Sequence, residues 1–202
     1  MREIILNAAR EIVGSEGVEK VSIRKIAAKI EYSPAIIYHY FDNKEEILEK
    51  LIVEQYAAIV KSLSVLQSTN MAPTEKLRES AVSFVTLAVE MGDTYKSMML
   101  NSSPAILAYT SVLQKGAAVE RPAIRMLCNS LRELPAFADR DDFDIELTAQ
   151  IIWSTAFGLA MRLIVEQVEE EQKQRLINHA VGFILHALEN EQLNEKGGEI
   201  PV

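Results

Sequence analysis

The chain has little of what staples, interrupts or anchors a fold. A single cysteine, Cys128, in 202 residues excludes an intrachain disulfide framework and a cysteine-based zinc finger. Only eight glycines and six prolines are present, too few breakers for a loop-rich chain. With 49% hydrophobic and 25% charged residues, the composition is that of a soluble, mostly helical globular protein. Positive charge is scarce as well. Twenty-one basic against 29 acidic residues leave a net charge of −8, which argues against coating nucleic acid indiscriminately but leaves room for a small local basic surface. No internal repeat, low-complexity tract or strand-like alternation is found. The longest apolar run, 151–165, is broken by Arg162 and falls short of the ~18–20 residues of a membrane span. No charged segment leads into an apolar one at the N-terminus, so no signal peptide is read. These absences predict a cytoplasmic, all-α protein without a membrane partner.

What is present is helical periodicity. Residues 2–13 read as an amphipathic helix with Ile5, Ala8 or Ala9, Ile12 and Val13 on one face, ended by Gly14 and Gly17. A second helix starts at Ser22, a good N-cap, and buries Ile26, Ala27 and Ile30 while Arg24, Lys25 and Lys29 face out. Glu31 and Tyr32 form a turn. Ser33 then caps a third helix of barely two turns with Pro34 at its first position, where a missing N–H does no harm. So short a helix must be held by its neighbours. Asp42 and Glu45 read as a capping box opening a long fourth helix.

The fourth helix carries a stripe from Ile47 through Leu51, Ile59 and Leu63 to Leu66. After a polar break at 67–72, a fifth helix runs from Pro73 to Gly92. Pro104 and Pro122 divide 94–134 into about three helical pieces, and 135–142 reads as an acidic loop. Two further helices, about 144–168 and 171–190, differ in kind. The first is apolar nearly all round, which implies burial on more than one side. The second has a broad apolar stripe. A symmetric pair of chains would supply two such helices each to a four-helix interface, with Gly158, Ile177, Val181, Ile184 and Leu188 as candidate contacts. Gly158 and Gly182 either mark close helix crossings or are merely tolerated. The expected organisation is about nine helices: a three-helix head at 1–46, a body at 47–192 and a flexible tail at 193–202.

From Ser22-Ile-Arg-Lys-Ile-Ala, through Ser33 and Ile37-Tyr38, to Phe41-Asp-Asn-Lys44-Glu45-Glu46, the sequence closely resembles the TetR family of bacterial transcriptional repressors. The resemblance covers roughly residues 2–52, about a quarter of the chain, and includes Ala8-Ala9, Gly17, the Ile26-Ala27 pair and the Tyr38 to Phe41 run. It implies a helix-turn-helix that reads operator DNA as a homodimer, and a body that binds a small molecule and thereby releases the DNA. Three positions depart from the family pattern. The turn glycine is Glu31, the histidine before the phenylalanine is Tyr40 with His39 preceding it, and a frequent glycine is Ala35.

By this resemblance Pro34, Ala35, Ile36 and His39 face the bases, and Ile37 packs inward with Phe41. The reading helix has no Arg or Lys, so it offers apolar contacts suited to thymine methyls, and a histidine for a base edge. Arg24 is the candidate for a guanine contact. Ser22, Tyr38 and Lys44 are candidates for phosphates, aided by backbone N–H groups at helix starts. For Ser22, Ser33 and Tyr40 a capping or packing role competes with a contact role. Without the surrounding motif, Arg24 would read as an ordinary solvated side chain.

In the body, Phe84, Tyr95, Met98, Met99, Met126, Trp153, Phe157 and Met161 either line an apolar cavity or are plain core; methionine and aromatics suit an irregular ligand. No clustered charge points to a metal, phosphate or sugar. The expected effector is therefore apolar or amphipathic, with no cofactor and no metal. Catalytic chemistry is hard to find. His179 and His186 lie seven apart, Cys128 has no local histidine, 169–171 is a solvated acidic run, and no glycine-rich phosphate loop occurs. The leading expectation is a non-enzymatic, ligand-released homodimeric repressor. An activator, a ligand-independent DNA binder, and a helical carrier or enzyme with an incidental motif are the alternatives.

Overall fold

A computed structural model describes residues 1–195; of the expected tail, 196–202 lie outside the described residues. All regular structure among the described residues is helical. The helices are α1 (Arg2–Glu16), α2 (Ile23–Lys29), α3 (Pro34–Tyr38), α4 (Lys44–Gln67), α5 (Pro73–Met91), α6 (Asp93–Met99), α7 (Pro104–Thr110), α8 (Ala117–Glu120), α9 (Pro122–Arg132), α10 (Asp142–Glu166) and α11 (Glu170–Glu195). The described residues form eleven helices against the expected nine or so, and 93–132 breaks into four pieces rather than about three. Two compact units result, one of residues 1–58 with 91–110, the other of 59–90 with the chain from 111 on. The first is thus wider than the expected head at 1–46. It takes in more than half of α4, and also α6 and α7.

In the first unit, α1 buries Ile5, Leu6, Ala8, Ala9, Ile12 and Val13, the i, i+3, i+4, i+7 spacing that puts one face inward. It does not stop at Gly14. It ends at Gly17, whose φ of 90° only glycine adopts freely and whose N–H bonds to the Val13 carbonyl at 3.0 Å. Ser22 caps α2, its Oγ accepting from the Lys25 N–H at 3.2 Å. Glu31 then takes φ 59°, a left-handed turn that the sequence fills with a β-carbon-bearing residue.

Helix α3 has five residues and is held by Ile37, which is fully buried. Its core partners include Ile5, Ile26, Phe41 and Ile47. Burying one such side chain contributes about 1.5–3 kcal/mol, and a five-residue helix has no comparable stability of its own. The cap of α4 is one residue later than expected. Asn43 Oδ1 accepts from the Glu46 N–H at 2.8 Å, and the Glu46 carboxylate reaches back to the Asp42 N–H at 2.8 Å. Arg2 adds a second bond to that carboxylate at 3.0 Å, so Glu46, not Glu45, ties α1 to the start of α4.

In the second unit, Leu77, Ile124, Leu131, Phe137, Ile145, Ala149, Ile152, Val181 and Leu185 form one core. Helix α10 is apolar because it is the central element, packing against both α9 and α11. By length and hydropathy it would also pass for a membrane-crossing helix; its inward apolar residues, Ile145, Ala149 and Ile152 among them, belong to this core. Asp141 caps it through the Asp144 N–H at 2.8 Å. The buried Glu146 accepts from the Gly116 and Ala118 N–H groups at 2.6 and 2.8 Å, satisfying the start of the four-residue α8.

The core takes up most of the expected dimer contacts on α11. Ile177, Val181 and Leu188 are 0, 3 and 5% exposed, and Ile184 packs against the same cluster. A side chain already buried inside its own protomer cannot present itself to a second one. The outward apolar residues are instead Phe143, Leu147, Ile151 and Val165 on α10 and Phe183 on α11. The α10 set recurs at helical spacing through Gly158, where a β-carbon would meet open space. Gly182 is equally open, so neither glycine marks a helix crossing within the protomer.

Candidate nucleic-acid interface and apolar cavity

The tip of the head is built from α2, the left-handed turn and α3. Because Ile37 points inward, the α-helical repeat turns Pro34, Ala35, Tyr38 and His39 outward. All four are exposed, with Tyr38 at 57%, and Ile36 is half-buried. The His39 ring stands edge-on to Tyr40 at 5.1 Å. Ser33 begins α3 through its backbone carbonyl, which accepts from the Ile36 N–H at 3.0 Å; its side chain makes no capping bond. The Ser22 hydroxyl is engaged as a cap acceptor and keeps its own proton to donate.

Residues 1–46 hold seven basic and eight acidic side chains, so whether a basic surface exists depends on which cations are already neutralised. Arg2 pairs with Glu46, Arg10 with Glu54, Lys25 with Glu16 and Lys29 with Glu11. Arg24 and Lys44 have no ion-pair partner among the described residues and flank the α3 tip, one on α2 and one opening α4. Lys25 and Lys29, outward-facing by sequence alone, are occupied by acids of α1. Exposed pairs of this kind contribute little stability, but they remove those charges from the surface that would meet phosphate. Arg2 is further committed, its guanidinium lying 4.4 Å from the Phe41 ring centroid.

The second unit encloses an apolar cavity of about 60 Å³ between α5, α9 and α10, closed by the end of α4. Its walls include Leu77, Ala81, Phe84, Ala123, Ile152 and Trp153, and its polar groups are Gln67, Ser80 and Ser130. Of the eight residues expected in a pocket, Phe84, Met126 and Trp153 line it. Phe157 supports it by stacking on Trp153 at 5.4 Å, with the rings 7° apart. Met161 is not part of the wall. Tyr95, Met98 and Met99 belong to the first unit, where Tyr95 and Met98 are fully buried and the Tyr95 hydroxyl pKa is raised by burial.

The three polar groups of the cavity escaped the sequence reading, although the signal was there. Ser80 falls between Leu77 and Phe84 on the inward stripe of α5. Ser130 lies four residues after Met126, and Gln67 four after Leu63. Serine and glutamine on an apolar stripe are easily passed over as interruptions. Elsewhere, burial pushes the Cys128 thiol up to about 11, and His186 accepts from the Asn190 side-chain amide at 2.9 Å. No group of three His, Cys, Asp or Glu among the described residues is placed to hold a metal ion.

The family model of bacterial regulatory proteins, tetR family, matches residues 5–51, the segment that builds this head. That head is a tetR-family DNA-binding domain, and the chain that carries it is a DNA-binding transcriptional regulator. Over most of its length it is similar to the fatty acid metabolism regulator protein of Bacillus subtilis (strain 168), 22% identical over 86% of each chain. Two solved structures share the fold. One is Thermus thermophilus FadR in complex with lauroyl-CoA, with a TM-score of 0.64 at 20% identity, covering 100% of this chain and 98% of that one. The other is the SmeT–triclosan complex, with a TM-score of 0.61 at 20% identity, covering 92 and 90%. For a tetR-family head the occupied Lys25 and Lys29 are informative. They leave few unpaired cations near α3 among the described residues.

Proposed function

We propose that this protein is a homodimeric, cytoplasmic repressor that holds a palindromic operator and lets go when a small apolar or amphipathic effector enters its body. Residues 1–46 read the DNA, and the chain from 47 to 192 binds the effector and dimerises; no catalytic role is assigned. Pro34, Ala35, Ile36 and His39 meet base edges, Arg24 a guanine, and Ser22, Ser33, Tyr38 and Lys44 the backbone. Two such heads would sit in successive major grooves about 34 Å apart.

One observation carries the reading: α4 supplies Ile47 and Leu51 to the core that holds α3, and Leu63 and Gln67 to the wall of the apolar cavity. A change at the cavity end of one helix therefore bears on the same helix that positions the reading tip. The relatives crystallised with lauroyl-CoA and with triclosan support a ligand-accepting body. The outward stripe of α10, with Phe183, is the surface proposed for the second protomer.

The test is fluorescence anisotropy of the DNA upstream of the protein's own gene, titrated with protein and then with candidate effectors. Saturable binding by two chains per site, reversed by an effector, is the expected result. Binding that no effector in a broad apolar library reverses would remove the ligand half of the proposal and leave the DNA half.

A further inference from the structure

The cavity of the second unit has a chemistry more selective than its apolar walls suggest. We propose that it takes a compact, uncharged, mostly apolar molecule bearing a single hydroxyl or N–H group, and that Ser80 is the residue that recognises that group. This rests on reading the body as the effector-binding unit.

Among the described residues no charged side chain lines the cavity. A carboxylate or phosphate brought inside would lose its hydration with no cation to offset the loss. Two of the three polar side chains satisfy each other. Ser130 Oγ accepts from Gln67 Nε2 at 2.9 Å and donates to the Met126 carbonyl at 3.1 Å.

Ser80 is different. Its Oγ is buried and has no hydrogen-bond partner among the described residues. A buried hydroxyl both donates and accepts, and leaving it unpaired is unfavourable, so a ligand O–H or N–H placed there recovers what the protein alone does not. The same site gives an apolar isostere nothing in return. Size sets an upper bound. The cavity's 60 Å³ is below the roughly 150 Å³ of an apolar cavity that takes benzene, so a ligand larger than one ring is excluded, and a one-ring ligand enters only as lining side chains such as Met126 and Leu127 give way. Phe84 and Trp153, with ring centroids 6.2 Å apart and tilted 48°, offer the flat wall that a ring would lie against.

The protein carries its own reporter, because Trp153 is the only tryptophan and lines the cavity. Trp153 fluorescence of the full-length protein is titrated with 4-ethylphenol, ethylbenzene, laurate and lauroyl-CoA, in wild type and Ser80→Ala. The expected result is a saturable response to 4-ethylphenol, with laurate and lauroyl-CoA weaker. Ser80→Ala should weaken 4-ethylphenol by roughly 3- to 10-fold, the range of one neutral hydrogen bond, and leave ethylbenzene unchanged or tighter. Thermal unfolding of Ser80→Ala should be unchanged or slightly raised, since the substitution deletes an unpaired group.

Equal weakening of both aromatic probes, or of neither, overturns the role of Ser80. Preference for laurate or lauroyl-CoA overturns the uncharged class while leaving an effector-binding body intact. Silence of Trp153 towards all four overturns the inference too. The broader effector reading is then judged separately, by whether any compound releases the operator DNA.

Discussion

The proposed dimer face follows burial rather than periodicity on α11, where Ile177, Val181 and Leu188 turn inward and Phe183 turns outward. Ile151 is 66% exposed in the protomer and Ile177 is 0% exposed. Full burial of an isoleucine side chain contributes about 1.5–3 kcal/mol. Two-thirds of that, about 1–2 kcal/mol, is still available for Ile151 to gain on association. A symmetric dimer counts the loss twice, so Ile151→Ala should weaken dimerisation by about 2–4 kcal/mol, roughly 30- to 1000-fold in Kd. Phe183→Ala, at 69% exposed, should act similarly, and Ile151→Asp should leave monomers at micromolar concentration. Ile177→Ala should instead create a cavity in the protomer core, costing roughly 2–5 kcal/mol of folding stability, with no direct effect on the dimer constant. Sedimentation velocity over a concentration series reads the first quantity, and urea unfolding monitored at Trp153 reads the second. If Ile151→Ala and Phe183→Ala keep the wild-type Kd within about threefold, the outward stripe is not the interface and the reasoning from burial fails.

Further tests address the head and the core. Glu31 stands at φ 59°, where a side chain costs about 1–2 kcal/mol. Glycine would relieve that and give back about 0.4–1 kcal/mol through the unfolded chain. Glu31→Gly should therefore raise the stability of the head by roughly 0.5–1 kcal/mol, and a loss of stability would mean the carboxylate has a stabilising role that its surroundings do not explain. Arg24→Ala should relax specificity at one base pair by about 1–3 kcal/mol, whereas Lys44→Ala should weaken all sequences alike and lower the salt slope by about one per head. Equal losses on operator and random DNA for Arg24→Ala would end its assignment as a base reader. The Cys128 thiol, raised by burial to about 11, stays protonated below that pH, so native protein should resist alkylation at pH 8 and react once unfolded. Rapid native labelling at pH 8 would show that the site opens.

The head was legible in the sequence because its signals are local. A cap at Ser22, a proline at the first position of α3 and an inward Ile37 all act within a few residues, and so does the glycine at 17. Even there, the choice of Asn43 over Asp42 as the α4 cap depended on which side chain met the Glu46 N–H. The ion pairs were not legible. Glu11, Glu16 and Lys25 are ordinary surface residues until α1 and α2 pack side by side and bring opposite charges together.

The body was less legible because it is determined by partners far apart in sequence. Helix α10 is apolar on nearly every side, and periodicity cannot say which side faces its own core and which faces out. Val181 and Phe183 lie two residues apart on one helix, and only the packing of α10 and the turn at 135–137 against it buries the first and exposes the second. Likewise Ser80, Ser130 and Gln67 come from three helices and come to line one cavity only when those helices converge. The sequence by itself determined an all-helical chain and a reading head, since both rest on short-range spacing. The tertiary structure alone decided which cations remain free, which apolar face is turned outward and which hydroxyl is left waiting in the cavity, because each is a matter of which distant neighbours a side chain meets.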